Sequence, residues 1–154
     1  ERLGSLGWVR TMPYPGFPTD AQAPLMAAAL KADGTTVFTE TIFQNRYRHV
    51  SEMARMGARV RTEGKVAIVT GVPRLHGASV RCTDLRGGAA LCAAALAAEG
   101  QSVIAEIHHI ERGYEHLDES LRQLGANITR SDHETEAEET QTEQPTTSEE
   151  GAGA

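Results

Sequence analysis

Two aspartates and two arginines stand at corresponding places in this chain, a third arginine follows the second aspartate, and their chemistry suits an anionic ligand. Asp20, in Pro18-Thr19-Asp20, has a counterpart 64 residues on in Thr83-Asp84-Leu85-Arg86, and each aspartate opens an alanine-rich segment. The runs that follow also match, Gly34-Thr-Thr-Val-Phe-Thr-Glu40 with Gly100-Gln-Ser-Val-Ile-Ala-Glu106, and Arg46 and Arg112 then arrive 66 residues apart. A carboxylate within hydrogen-bond reach of a hydroxyl can take its proton. A guanidinium fork grips carboxylate or phosphate through two parallel bonds, which an ammonium cannot copy. Each residue also has a plain structural reading: an aspartate at a helix start caps the first turn, and a lone arginine is a solvated surface charge.

The spacing predicts the elements that must hold these groups. Trp8–Thr11 reads as a strand, followed by the Pro/Gly-rich loop from Met12 to Pro18. Thr19 or Asp20 caps a helix from Ala21 to Ala32, with Pro24 tolerated in its first turn. Thr36–Glu40 is β-rich. Val50, Met53 and Met56 follow helical spacing until Gly57 stops the helix. Ala58–Thr62 and Val66–Val69 form a hairpin around Glu63-Gly64-Lys65. The second copy runs Ser79–Cys82 (strand), Leu85–Ala98 (helix), Ser102–Glu106 (strand), Gly113–Leu124 (helix) and Asn127–Arg130 (strand). Both first helices are apolar on most sides, which suits burial in the middle of a domain. The fold class is therefore α/β, built from β-α-β-α-β-β repeats of which two are present.

Composition divides the chain. Residues 1–130 carry all 15 Lys and Arg against 13 Asp and Glu, whereas residues 131–154 carry the other 8 acidic residues and no Lys or Arg. That segment has no aromatic or large aliphatic residue and reads as a disordered acidic tail. Cys82 and Cys92 lack the spacing of a zinc site or a disulfide framework and read as buried free thiols. His108-His109 would point to opposite faces of a strand, so no metal site is expected. Basic residues without interleaved aromatics give no nucleic-acid signature. No run spans a bilayer and no segment reads as a signal peptide, so the expected location is cytoplasmic.

Several motifs in one order carry a resemblance over residues 8–130: Pro15-Gly-Phe-Pro-Thr-Asp-Ala-Gln22, Thr39-Glu-Thr-Ile-Phe-Gln-Asn-Arg46, His49-Val50, Met56-Gly-Ala58, Gly71-Val72, Thr83-Asp-Leu-Arg86 and Glu111-Arg-Gly-Tyr-Glu115. The chain resembles the UDP-N-acetylglucosamine 1-carboxyvinyltransferases, which are enolpyruvyl transferases related to the shikimate-pathway enzyme. The resemblance implies an inside-out α/β barrel of two domains with the site between them, and this chain as its C-terminal third. It implies transfer of enolpyruvyl from phosphoenolpyruvate to the 3-hydroxyl of UDP-N-acetylglucosamine, through a tetrahedral intermediate that loses phosphate, at the first committed step of peptidoglycan synthesis. Carried over residue by residue, Asp20 contacts the sugar hydroxyl as the proposed base. Ile42 touches the nucleotide, Arg112 binds phosphoenolpyruvate, and Arg46 and Arg86 are further cleft arginines. Asp84 orients arginine. Three arginines in matching motifs, two at equivalent points of a repeat, outweigh the surface-charge reading.

The family's catalytic cysteine loop and its N-terminal lysine and arginine have no match here, and neither Cys82 nor Cys92 replaces the cysteine. Gln44 and Glu111 stand where Glu and Asp are more usual. Gly87 and Gly88 replace the usual Ala or Ser, loosening that helix start by ~1 kcal/mol per residue while letting phosphate approach bare N–H groups. The expectation is a C-terminal part that needs the missing N-terminal part of the same enzyme as partner and is inactive and marginally folded alone. No cofactor, nucleic acid or membrane is implied. Two alternatives stay open: an enolpyruvyl transferase with another acceptor such as shikimate 3-phosphate, or a non-catalytic remnant that keeps the fold.

Overall fold

The computed structural model describes residues 3–131. Short β-branched and aromatic runs make six strands, β1 (Trp8–Arg10), β2 (Thr35–Thr39), β3 (Arg59–Glu63), β4 (Val66–Thr70), β5 (Ser79–Arg81) and β6 (Val103–Ala105). The first four form one sheet in the order β1-β2-β4-β3, and β5 pairs with β6 in a second. β1 and β2 run parallel with Trp8 opposite Val37, and β5 and β6 run parallel with Val80 opposite Ile104. β3 and β4 are the antiparallel arms of the hairpin, turning at Gly64 with φ +55°.

Parallel neighbours cannot be joined by a tight turn and need a crossover. In both copies it is a helix, α1 (Gln22–Ala29) and α3 (Leu85–Leu96). These two helices pack on each other. Met26, Leu30, Ala90, Leu91 and Ala94 meet Phe38, Val69, Leu75 and Val80 in one core that spans both copies. A fully buried Leu, Met or Phe side chain contributes about 1.5–3 kcal/mol, so the α1–α3 seam is the main apolar contact between the copies. α2 (Val50–Arg55) adds Met53, and the chain leaves it through Gly57 at φ +86°.

Four expectations are corrected. The predicted cap at Thr19 or Asp20 is absent. A 3-10 turn, Thr19–Ala21, precedes α1, and neither its extended flanking residue Pro18 nor Ala21 before α1 offers a side-chain cap. A capping side chain must sit on the residue just outside the turn, and that residue is a proline. The predicted helix Gly113–Leu124 is shortened to α5 (Leu117–Gln123), which starts after His116 in the left-handed region with φ +48°, and a separate short helix, α4 (His108–Glu111), precedes the predicted range. His108 and His109 therefore lie in a helical turn with ring centroids 4.2 Å apart, not on opposite faces of a strand. Asn127–Arg130 pairs with no described strand; without a ladder to join, its β pattern has nothing to satisfy it. The acidic-tail reading of residues 131–154 lies outside the described residues at every position but Ser131. Cys82 and Cys92 are buried free thiols, as expected, and burial pushes them up to about 12 and about 11. No helix among the described residues is long and apolar enough to cross a membrane.

Candidate functional site

Because Asp20 does not cap its own helix, its carboxylate is free to reach across the copies. Arg86 Nε donates to Asp20 Oδ1 at 2.5 Å, joining the Pro-Thr-Asp turn to the first turn of α3. Asp20 is 64% exposed and Arg86 31% exposed at the side chain, so the pair lies at the surface with its arginine the more enclosed partner. The Arg86 hydrogen bond, aided by the charges of Arg86 and Arg46, holds the Asp20 carboxyl below its usual range against the opposing effect of burial. Asp20 raises the Arg86 guanidinium in return, with Tyr114 and Asp84 adding to the same effect.

Asp84 is the cap its sequence suggested. Its backbone is extended, and its Oδ1 accepts from Gly87 N at 2.8 Å. The Gly87 N–H expected to be bare for phosphate is thus already occupied, which corrects that expectation. Gly87 and Gly88 serve close packing instead. A Cβ at Gly87 would lie 2.9 Å from His49 Cβ, and one at Gly88 would lie 2.7 Å from Ile110 Cγ1. His49 is fully buried against this helix start and neither ring nitrogen has a partner among the described residues. Burial pushes its imidazole down to about 4, partly opposed by the Asp84 carboxylate.

Arg46 follows Asn45, which holds a left-handed φ of +56°, and its guanidinium lies 4.2 Å over the Phe43 ring. Such stacking contributes about 0.5–1 kcal/mol at an exposed position and fixes where the charge points. Arg46 lines an open groove with Glu40, Phe43, Gln44, Tyr47 and Lys65. Tyr47 Oη donates to Lys65 O at 3.0 Å, tying this loop to the hairpin turn. Ile42, on the same loop, leaves its side chain 37% exposed while its N–H donates to Glu40. Arg112 is exposed at the end of α4, and no hydrogen bond or ion pair joins it to the other five residues. The next residue anchors it: a Cβ at Gly113 would lie 2.7 Å from Leu85 Cδ2, so the Arg112 backbone is held beside the residue preceding Arg86.

The six expected residues thus divide. Asp20 and Arg86 touch, Arg46 and Asp84 act on them electrostatically, and Ile42 and Arg112 make no hydrogen bond or ion pair with them among the described residues. Sequence reasoning assigned no role to Glu40, a buried carboxylate that accepts from Thr11 Oγ1, Thr19 Oγ1, Ile42 N and Phe43 N. Its signal was an acidic residue ending a β-branched run, just where the chain must turn. Among the described residues no three His, Cys, Asp or Glu side chains converge on a metal position. The geometry offers an ionised carboxylate able to accept a proton, beside fixed cations able to hold a polyanion.

Residues 3–121 match the family described as EPSP synthase (3-phosphoshikimate 1-carboxyvinyltransferase). UDP-N-acetylglucosamine 1-carboxyvinyltransferase 1 of Symbiobacterium thermophilum is 56% identical over 122 residues, covering 79% of this chain and 28% of that protein. UDP-N-acetylglucosamine 1-carboxyvinyltransferase of Desulfofundulus thermocisternus is 52% identical over 126 residues, covering 82% of this chain and 52% of that protein. Among solved structures, the enolpyruvyl transferase NikO from Streptomyces tendae superposes with a TM-score of 0.74 at 32% identity, over 82% of this chain and 29% of that one. EPSP synthase from Acinetobacter baumannii shares the fold, with a TM-score of 0.61 at 19% identity over 84% of this chain and 29% of that one. The chain spans between about a quarter and a half of the length of these relatives.

Proposed function

Because the chain belongs to the EPSP synthase (3-phosphoshikimate 1-carboxyvinyltransferase) family, we propose that it supplies one wall of an enolpyruvyl transfer site. The carrying observation is the Asp20–Arg86 contact between the two copies, with the Arg46 charge in reach of Asp20. In this reading the acceptor hydroxyl gives its proton to Asp20 as its oxygen attacks C2 of phosphoenolpyruvate and an acid of the N-terminal part protonates C3; loss of a C3 proton then restores the double bond as phosphate leaves the tetrahedral intermediate. Arg86, Arg112 and Arg46 neutralise the carboxylate and phosphate groups, Asp84 fixes the helix start that carries Arg86, and Ile42 lies along the nucleotide.

The acceptor is UDP-N-acetylglucosamine, making this the first committed step of peptidoglycan synthesis. Relatives at 51–56% identity bear that acceptor in their names, whereas the shikimate-pathway structures share the fold at 19–21% identity. The units 8–70 and 79–130 would be the C-terminal portion of an inside-out α/β barrel, completed by an N-terminal part that brings the remaining catalytic groups. An anionic substrate that draws Arg86 to itself removes the bond that depresses Asp20, so substrate binding makes the carboxylate a stronger base.

The test is a chimera in which residues 3–121 replace the matching segment of the Symbiobacterium relative. Phosphate release from phosphoenolpyruvate that requires UDP-N-acetylglucosamine is the expected result. A folded chimera that releases no phosphate, or that prefers shikimate 3-phosphate, overturns the reading.

A further inference from the structure

We propose that Glu40 is a positioning residue, whose buried carboxylate locks the turn carrying Asp20 to the loop carrying Ile42 and Arg46. The proposal rests on the enolpyruvyl transfer reading above and names a device that holds that site in shape. Glu40 is 2% exposed at the end of β2. Its Oε1 accepts from Thr11 Oγ1 at 3.0 Å, Ile42 N at 2.9 Å and Phe43 N at 3.1 Å. Its Oε2 accepts from Thr19 Oγ1 at 2.9 Å. Two carboxylate oxygens offer about four lone-pair sites, so this one is saturated. No arginine or lysine pairs with it among the described residues, and its charge rests on N–H and hydroxyl dipoles.

A buried charge is costly unless fully hydrogen-bonded, so the arrangement calls for a reason. The fold does not supply one. At the same point of the second copy Glu106 is 47% exposed at its side chain and, among the described residues, makes only long ion pairs of 3.9 Å with Arg81 and His109. What the first copy has and the second lacks is the long turn bearing Asp20, and that turn is what Glu40 Oε2 reaches. Thr19 is the residue next to Asp20, so fixing its hydroxyl fixes the direction of the neighbouring carboxylate. Ile42 and Phe43 are fixed through their backbones, which places the loop that ends in Arg46. Thr11 completes the tie from the other side, its Oγ1 accepting from Thr41 N at 2.8 Å. One carboxylate thereby sets the relative position of proton acceptor and acceptor-binding loop, and a misplacement of about 1 Å at such a site can cost 10²-fold in rate.

The experiment has two arms. In the chimera, Thr19→Val is expected to lower kcat roughly 10- to 100-fold with KM for UDP-N-acetylglucosamine changed less than about threefold. Thr19→Ser should restore kcat, and Glu40→Gln, which keeps the carbonyl acceptor, should lose less than Glu40→Ala. Unchanged kcat in Thr19→Val, or no rescue by serine, overturns the proposal. In the 154-residue chain itself, amide hydrogen exchange is read at Ile42, Phe43 and Ala21. Glu40→Ala should speed all three by about tenfold or more, whereas Glu106→Ala should leave them alone. Ala21 unaffected while Ile42 and Phe43 loosen shows that the two segments are not tied, and overturns it. An inactive parent chimera with the exchange coupling intact sinks the transfer reading and leaves Glu40 as the tie between the two segments.

Discussion

The two copies share a backbone plan and differ in what they do with polar groups at the same points. Thr11 N donates to Thr39 O at 3.0 Å in the first copy, and Cys82 N donates to Ala105 O at 3.0 Å in the second. At the first of these positions a threonine hydroxyl feeds Glu40. At the second a buried thiol, a weak donor, feeds nothing comparable, and Glu106 turns outward at φ +58°. The aspartates diverge as well: Asp84 caps its helix and Asp20 binds an arginine of the other copy. Backbone geometry is common to both, and a few hydroxyl and carboxylate choices decide which copy holds Asp20 against its loop and which presents Arg86.

The largest test of that division is Asp20→Asn in the chimera. Loss of the proton acceptor should lower kcat by about 10²–10⁴-fold, while Asp84→Asn, which keeps an acceptor for Gly87 N, should cost much less. Equal losses would erase the distinction between base and cap.

Next in size is Glu40→Ala against Glu106→Ala in the chain, followed by urea unfolding. Removing Glu40 strands four donors and should cost about 2–4 kcal/mol. Removing Glu106, with its exposed and distant partners, should stay within about 0.5 kcal/mol.

The histidines that precede α2 and α5 give a third contrast, His49 buried and His116 exposed. The folded-state value of His49 is about 4, below its ordinary 6.5. Above pH 6.5 the imidazole is neutral in both states and its packing is retained in full. As pH falls from about 6.5 toward about 4 the unfolded chain takes up a proton that the folded chain refuses, and stability drops by on the order of 3 kcal/mol. His49→Leu should flatten that limb and His116→Leu should leave it.

The smallest effect tests where the copies agree. Gly34 and Gly100 open the second strand of each copy at φ +94° and +90°. Alanine at either should cost about 1 kcal/mol, by nearly the same amount in both.

Much of this was legible in the residues. The six strands and the two apolar crossover helices follow from periodicity and glycine placement, and Asp84 follows from local capping rules. Asp20 obeyed no local rule, because its partner Arg86 lies 66 residues away and tertiary contact outbid the cap. Glu40 was invisible for the same reason, its hydroxyl partners being 21 and 29 residues distant. α5 starts after His116 in the left-handed region, where histidine is enriched several-fold among residues other than glycine, a preference too weak to mark the position within a helical pattern. Asn127–Arg130 has a strand's composition without a neighbour to bond, and composition cannot see neighbours.

The bare backbone at Gly87 and Gly88 has a consequence for the order in which this chain can change. Ile110 and Cys82 occupy the room that a methyl group at 88 would take, and His49 the room at 87. Restoring a side chain at 88 therefore requires that Ile110 or Cys82 be trimmed beforehand, while trimming first leaves a void beneath α3. Each single step is penalised even where the double change is neutral, so position 88 and the two residues facing it can change only together.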